Sequence, residues 1–210
     1  MADGNVLLVE GKDDQFVLKH LTRNHGIPED SFKIKPKDGI SVLLDTLDVE
    51  LLASDVQRLG IVVDADLDIA SRWQSLRNIL SSSGYQMPDK PEREGIVVSL
   101  PGLKTVGVWI MPDNSTAGLL EDFMSWLIPH GDPNWNKAKE CVEEIDEDDR
   151  RFAPEHLIKA QVHTWLAWQA DPGTPLGLAI TKRYFDAGSA QAAMLVGWIR
   201  RLFELPAAGT

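Results

Sequence analysis

Apolar positions along this chain alternate between continuous runs and helical spacing. Val6-Leu7-Leu8-Val9, set between Gly4 and Gly11, reads as a buried parallel strand. Asp13 or Asp14 then opens a helix as N-cap or first-turn acid. Phe16, Val17, His20 and Leu21 follow at helical spacing, and Asn24-His25-Gly26-Ile27-Pro28 ends it. Phe32 to Lys37 alternates Phe and Ile with Lys, the pattern of a half-exposed strand. Gly39 breaks it, and Val42, Leu43, Leu47, Leu51 and Leu52 mark a second helix. Ile61 to Val63 is a third strand. Ile69 to Leu80, with Trp73, Leu76 and Ile79 on one face, is a third helix. This β-α-β-α-β-α order over the first eighty or so residues implies a parallel sheet covered by helices.

Ser81-Ser82-Ser83-Gly84 and the charged Pro88 to Glu94 segment form a loop. Two apolar runs follow, Ile96 to Leu100 and Val106 to Met111, joined by a Pro101-Gly102 turn. Pro112-Asp113-Asn114-Ser115 is a turn with capping chemistry, and Leu119, Leu120, Phe123, Met124, Trp126 and Leu127 make an amphipathic helix. From Pro133 the pattern is helical. A charge-dense stretch over Glu140 to Arg151 leads to apolar-faced helices over Leu157 to Trp168 and Ala190 to Leu205, separated by Pro172-Gly173-Thr174-Pro175. The last helix suits either a lid on the sheet or a dimer contact, and Pro206 to Thr210 is expected to fray. The expected fold is α/β. A parallel-core sheet flanked by helices spans residues 1–128, and a helical C-terminal extension over 129–210 packs on it.

Two strand exits carry acids. Glu10-Gly11 closes the first strand. The third runs straight into Asp64-Ala65-Asp66-Leu67-Asp68, with carboxylates at every second position. Ligands of open parallel sheets bind at the carboxyl ends of strands, and neighbouring strands lie about 4.8 Å apart. The two tips can therefore share one ion, and oxygen-only ligands favour Mg²⁺ or Mn²⁺ over zinc. Gly11 would let the backbone turn tightly and leave room for a phosphate. The plain alternative is that Asp64 to Asp68 only caps the third helix.

Composition narrows the choice. With 210 residues, 43% of them hydrophobic, the chain can build one core of ordinary size. A net charge of -11 argues against a generic nucleic-acid coat protein, yet is compatible with a metal-dependent nuclease whose ion and local lysines offset it. The single Cys141 excludes a disulfide framework and a cysteine-rich zinc site, and fits a reducing cytoplasm. No run approaches about 18 apolar residues, so no membrane span is expected, and the N-terminus lacks the layout of a cleaved signal. Gly11-Lys12 lacks the spacing of a P-loop. Of five histidines, His163 is read as a partly buried structural residue near Trp165. Core packing is the reading for Trp109, Trp126, Trp165, Trp168 and Trp198, with base stacking as the alternative for Trp135.

Val9-Glu10-Gly11 with Asp14, followed by Asp64-Ala65-Asp66, resembles the Toprim domain over about the first 125 residues. The whole chain is most similar to short stand-alone Toprim proteins of unknown function related to OLD-type nucleases. The resemblance implies a Toprim/Rossmann-like fold and Mg²⁺- or Mn²⁺-dependent phosphodiester chemistry with one or two ions. Glu10 would match the Toprim glutamate and Asp64 and Asp66 the Asp-x-Asp pair. Asp14 would match the acid four positions on, Glu121 a further acid after the last strands, and Asp68 fits loosely. The implied metal ligands are Glu10, Asp14, Asp64, Asp66, Asp68 and Glu121. The implied catalytic set is Glu10, Asp64, Asp66 and a late lysine, Lys159 before Lys182. The implied partners are nucleic acid and a protein such as an ATPase, with no membrane. Two other functions compete with the nuclease. One is a non-cleaving Toprim-fold regulatory protein. The other is a phospho-acceptor receiver, although the fifth strand ends in Met111-Pro112 where a receiver has lysine. A basic groove built from Lys33, Lys35, Lys37, Arg93 and Lys104 would favour cleavage, and its absence would favour the partner reading.

Overall fold

Asn5–Val9 (β1), Lys33–Pro36 (β2), Arg58–Asp64 (β3), Ile96–Val98 (β4) and Thr105–Met111 (β5) form one sheet in the order β2-β1-β3-β5-β4. All neighbours are parallel except β4, which runs antiparallel to β5. The structure is a computed structural model that describes residues 4–207. The end of the tail expected to fray, residues 208–210, lies outside them.

Period-two burial sets the layers. Leu7, Val9, Val62, Trp109 and Met111 face one hydrophobic cluster, while Val6, Leu8, Ile61, Val63, Val108 and Ile110 face another. Helices Ile40–Leu52 (α2) and Ile69–Ser82 (α3) cover the second face through Leu43, Leu47, Leu51, Trp73, Leu76 and Leu80. The first face takes Lys12–Asn24 (α1) and the later helices Leu120–Ser125 (α4), Pro133–Glu143 (α5), Leu157–Ala167 (α6), Leu176–Thr181 (α7) and Ala190–Phe203 (α8). The α/β fold class read from the apolar pattern is therefore the observed one. Residues before and after position 128 share a single cluster, because α8 lies directly on the sheet.

Two glycines make that contact. Gly60 and Gly107 are register partners on β3 and β5. A Cβ on Gly60 would sit 2.4 Å from Leu7 and 2.8 Å from Leu202, and one on Gly107 would sit 2.9 Å from Leu202. The pair leaves a trough that the Leu202 side chain fills. Trp198 donates its indole N–H to Ile96 O at 2.9 Å, which ties the same helix to edge strand β4.

Several local expectations are corrected. Trp126 and Trp168 are 38% and 41% exposed, because each is a C-cap residue at the end of its helix, beyond the packed turns. Trp109, Trp165 and Trp198 are buried. His163 is exposed; two positions from buried Trp165 places it on the opposite face of α6. Trp135 is partly buried against the first cluster. Helix α7 was not foreseen: it has six residues and follows Pro175 directly. No helix among the described residues is long and apolar enough to cross a membrane.

Candidate metal centre

The chain leaves β1 toward β2 on one side and later returns to place β3 on the other. The gap between the β1 and β3 tips is thus the switch point of the sheet, where open α/β folds form their crevices. Glu10 follows β1 and Asp64 ends β3, so the strand order brings both acids there. Their junction is direct: Glu10 Oε1 accepts the Asp64 N–H at 2.8 Å.

Asp14 arrives from the first turn of α1. Its Oδ2 accepts the Gly11 N–H at 3.0 Å, closing the helix start that glycine cannot cap with a side chain. Gly11 itself is extended, with φ -139°, so the tight glycine turn expected there is not formed. Glu121, buried in the first turn of α4, and Lys159 from α6 complete the set. Lys159 Nζ lies 3.0 Å from Glu121 Oε1. One cavity of about 330 Å³ is lined by Glu10, Asp14, Asp64, Glu121 and Lys159, together with Lys12, Asp13, Asp38 and Gly39. Asp38 was not singled out in the sequence. It lies with Gly39 in a loop where both residues have positive φ, anchored by the Gly39 N–H on Glu10 O at 2.9 Å.

The acids disturb one another. Burial, first of all, pushes Glu10 up to about 7, with neighbouring Asp14 and Asp66 adding to it against the opposing Asp64 amide and Arg72. Burial likewise pushes Asp14 up to about 6, aided by the Glu121 charge. Asp64 is raised well above the ordinary carboxylate range by burial, then by Asp14, Glu10, Glu121 and Asp66. Lys159 would be depressed by burial, but Glu121, Asp13 and Asp64 outweigh this and raise it. Asp14 Oδ1 and Asp64 Oδ1 are both sealed from solvent without a hydrogen-bond partner. Such atoms cost free energy unless a cation or proton meets them.

Two expected ligands stand apart. Asp66 has φ 52°, pairs with the Arg72 guanidinium, and lines cavities beside the centre and not the centre itself. The Asp-x-Asp pair is therefore split. Asp68 is the exposed N-cap of α3, accepting the N–H groups of Ala70 and Ser71 at 2.9 and 3.1 Å. Its carboxylate is held by its own helix, which is the capping role weighed against ligation. Lys182, the second lysine considered, pairs with Asp171 at 2.6 Å and does not line the cavity.

Among the described residues, no three His, Cys, Asp or Glu side chains are already set to hold an ion. Glu10, Asp14 and Glu121 each commit an oxygen to an amide or to lysine. What fits a divalent ion is the donor chemistry: hard carboxylate oxygens, two of them orphaned, under strong mutual repulsion.

Arg72 is the site residue that sequence reading missed. It lies on α3, its Nε donates to Asp64 O at 2.8 Å, and its side chain is 13% exposed. Five residues of loop and helix separate it from Asp66, and nothing in the local pattern marks it from any helix arginine.

Three of the five basic residues expected to build a groove are engaged within the protein, while Lys33 and Arg93 are exposed. Lys35 and Lys37 both bind Glu50, at 3.1 and 2.8 Å, and Lys104 donates to the Glu50 and Ala53 carbonyls where α2 ends.

A family model described as "Protein of unknown function (DUF3226)" matches residues 4–204, and the chain belongs to that family. No curated protein and no solved structure matches it.

Proposed function

We propose that this protein is a Toprim-like phosphodiester-cleaving or phosphodiester-transferring enzyme that works with Mg²⁺ or Mn²⁺. The observation that carries the reading is the pair of orphaned, buried oxygens on Asp14 and Asp64, in an acid-lined cavity at the switch point of the sheet. Glu10, Asp14, Asp64 and Glu121 would hold the ion. When bound, such an ion polarises a phosphoryl oxygen and lowers the pKa of bound water. At neutral pH Glu10 is near half-protonated, so it gives up its proton as a cation enters. Lys159 lines the same cavity and offers its ammonium to charge on a phosphate.

A second reading is favoured by the engaged lysines. With Lys35, Lys37 and Lys104 occupied internally and a net charge of -11, the chain has little positive surface of its own to draw in nucleic acid. In that reading a basic partner protein, such as an ATPase subunit, supplies the nucleic-acid grip.

Calorimetric titration of Mn²⁺ into wild type and into Glu10→Gln/Asp64→Asn decides the centre. The same samples are assayed on labelled plasmid, single-stranded DNA and RNA. Binding and cleavage both lost in the variant support the enzyme. Binding without cleavage of any substrate moves the assignment to the partner-dependent reading. No difference in Mn²⁺ binding between the two proteins removes the metal centre.

A further inference from the structure

We infer that Arg72 is a positioning residue that holds Asp66 out of the metal centre, leaving Asp66 as a reserve ligand; this rests on the metal-centre reading above. Three observations place the switch at the side chain of Asp66. Its backbone is pinned: Asp66 N–H donates to Gly118 O at 3.0 Å, and Gly118 N–H donates to Asp66 O at 2.8 Å. Its carboxylate is half-exposed and, among the described residues, held by Arg72 alone, whereas Arg72 is nearly enclosed and also grips the Asp64 carbonyl at 2.8 Å. And Asp66 is near enough for its charge to act on both Glu10 and Asp64, although it lines the neighbouring cavities.

The arrangement solves a charge problem. Glu10, Asp14, Asp64 and Glu121 already repel one another, and a fifth carboxylate turned inward would add to that repulsion while no cation is present. Arg72 neutralises the fifth acid and parks it two residues past the strand end. Arginine suits this place because its planar fork can serve a carbonyl and a carboxylate at once. An arriving cation, or a phosphate competing for the guanidinium, would release Asp66 toward the centre.

The test is a double-mutant cycle read by Mn²⁺ calorimetry on the full chain, independent of any catalytic activity. Arg72→Gln keeps a donor for the Asp64 carbonyl but removes the charge that holds Asp66. It should bind Mn²⁺ about tenfold more tightly, as one freed carboxylate ligand would give. Adding Asp66→Asn to Arg72→Gln should return the affinity to near the wild-type value. Arg72→Lys, which keeps the charge but loses the fork, should fall between wild type and Arg72→Gln. A weaker ion in Arg72→Gln would mean that Arg72 merely shapes the strand end, and would overturn the proposal. Tightening that persists in Arg72→Gln/Asp66→Asn would trace it to the lost positive charge alone, and would overturn it too. Arg72→Met serves the same cycle if Arg72→Gln does not fold. Absence of Mn²⁺ binding in wild type would instead sink the centre itself, which separates the two failures.

Discussion

Lys159 on α6 pairs with Glu121 on α4 at the cavity wall, with Nζ 3.0 Å from Oε1. The pair is lopsided: the glutamate side chain is 4% exposed and the lysine 47%. Glu121 therefore depends on Lys159 far more than Lys159 depends on Glu121. Lys159→Met should destabilise the metal-free protein by about 1–2 kcal/mol, less than for a fully buried pair because water screens the lysine end. Added Mn²⁺ should recover much of that loss by supplying the missing positive charge. Thermal melts of both proteins with and without Mn²⁺ give the comparison, and equal melting temperatures without metal would count against a paired Glu121.

Asp64 should show a conflict between stability and function. Its carboxylate is pushed far up by burial and by four neighbouring acids, and one oxygen has no partner. Asp64→Asn removes the charge and keeps the shape. It should stabilise the metal-free protein by on the order of 1–2 kcal/mol while abolishing Mn²⁺ binding. Denaturant midpoints and calorimetry on the same preparation read both effects. A destabilised Asp64→Asn would mean that the carboxylate is satisfied by something other than a cation.

The parts of this site legible in the sequence are those where one short stretch carries the signal. An apolar run ending in an acid declares both a strand and its tip, so Glu10 and Asp64 were readable. Asp14 reads from the pattern only as a first-turn acid of α1, and its place in the site follows from the family resemblance. Glu121 and Lys159 lie 57 and 95 positions beyond Asp64, and they follow from the family resemblance and not from any local pattern. The structure places both against the cavity. What could not be read is pairing between side chains. Arg72 looks like any exposed helix arginine, yet it decides where Asp66 points. Lys35 and Lys37 alternate with apolar residues as a basic strand face would, but Glu50 on α2 lies over them. Helix α7 escaped because six residues are too few for periodicity to show.

The raised carboxylates give the metal-free protein an uncommon pH profile. Glu10 moves from 4.5 to about 7 and Asp14 from 3.8 to about 6 on folding. Between those limits the folded state binds more protons than the unfolded state, so stability falls as pH rises. The favourable contribution is complete below about pH 4 and is lost by about pH 7. Unfolding midpoints without divalent ions should therefore drop between pH 5 and 7.5, by an amount on the order of 1–3 kcal/mol. With saturating Mn²⁺ the slope should reverse, because the ion competes with protons for the same oxygens and binds better as pH rises. Proton release on Mn²⁺ binding, measured by calorimetry in buffers of different ionisation enthalpy, should be large at pH 6 and small at pH 8. A metal-free profile that is flat from pH 5 to 7.5 would contradict the burial of these groups.

The glycine trough under α8 predicts how the C-terminal segment bears on the site. Gly60 and Gly107 sit side by side on neighbouring strands β3 and β5, and Leu202 fills the space that their missing Cβ atoms leave. Gly107→Ala would set a methyl 2.9 Å from Leu202 and 3.1 Å from Trp198, so the helix must shift or the leucine must leave its rotamer. Overpacking of this kind costs about 1–3 kcal/mol. The strain enters at the middle of β5, four residues from the Met111 end that pairs with Asp64. Strands in a packed sheet move as units, so a lifted α8 should leave the strand tips in place. Gly107→Ala is therefore expected to lower the unfolding midpoint while Mn²⁺ affinity stays within about threefold of wild type, a change of under 1 kcal/mol. Pairing Gly107→Ala with Leu202→Ala should restore part of the lost stability, because the smaller side chain vacates the trough. If the double variant is no more stable than the sum of the two single effects, the fit of Leu202 into the trough is not what the glycines are for.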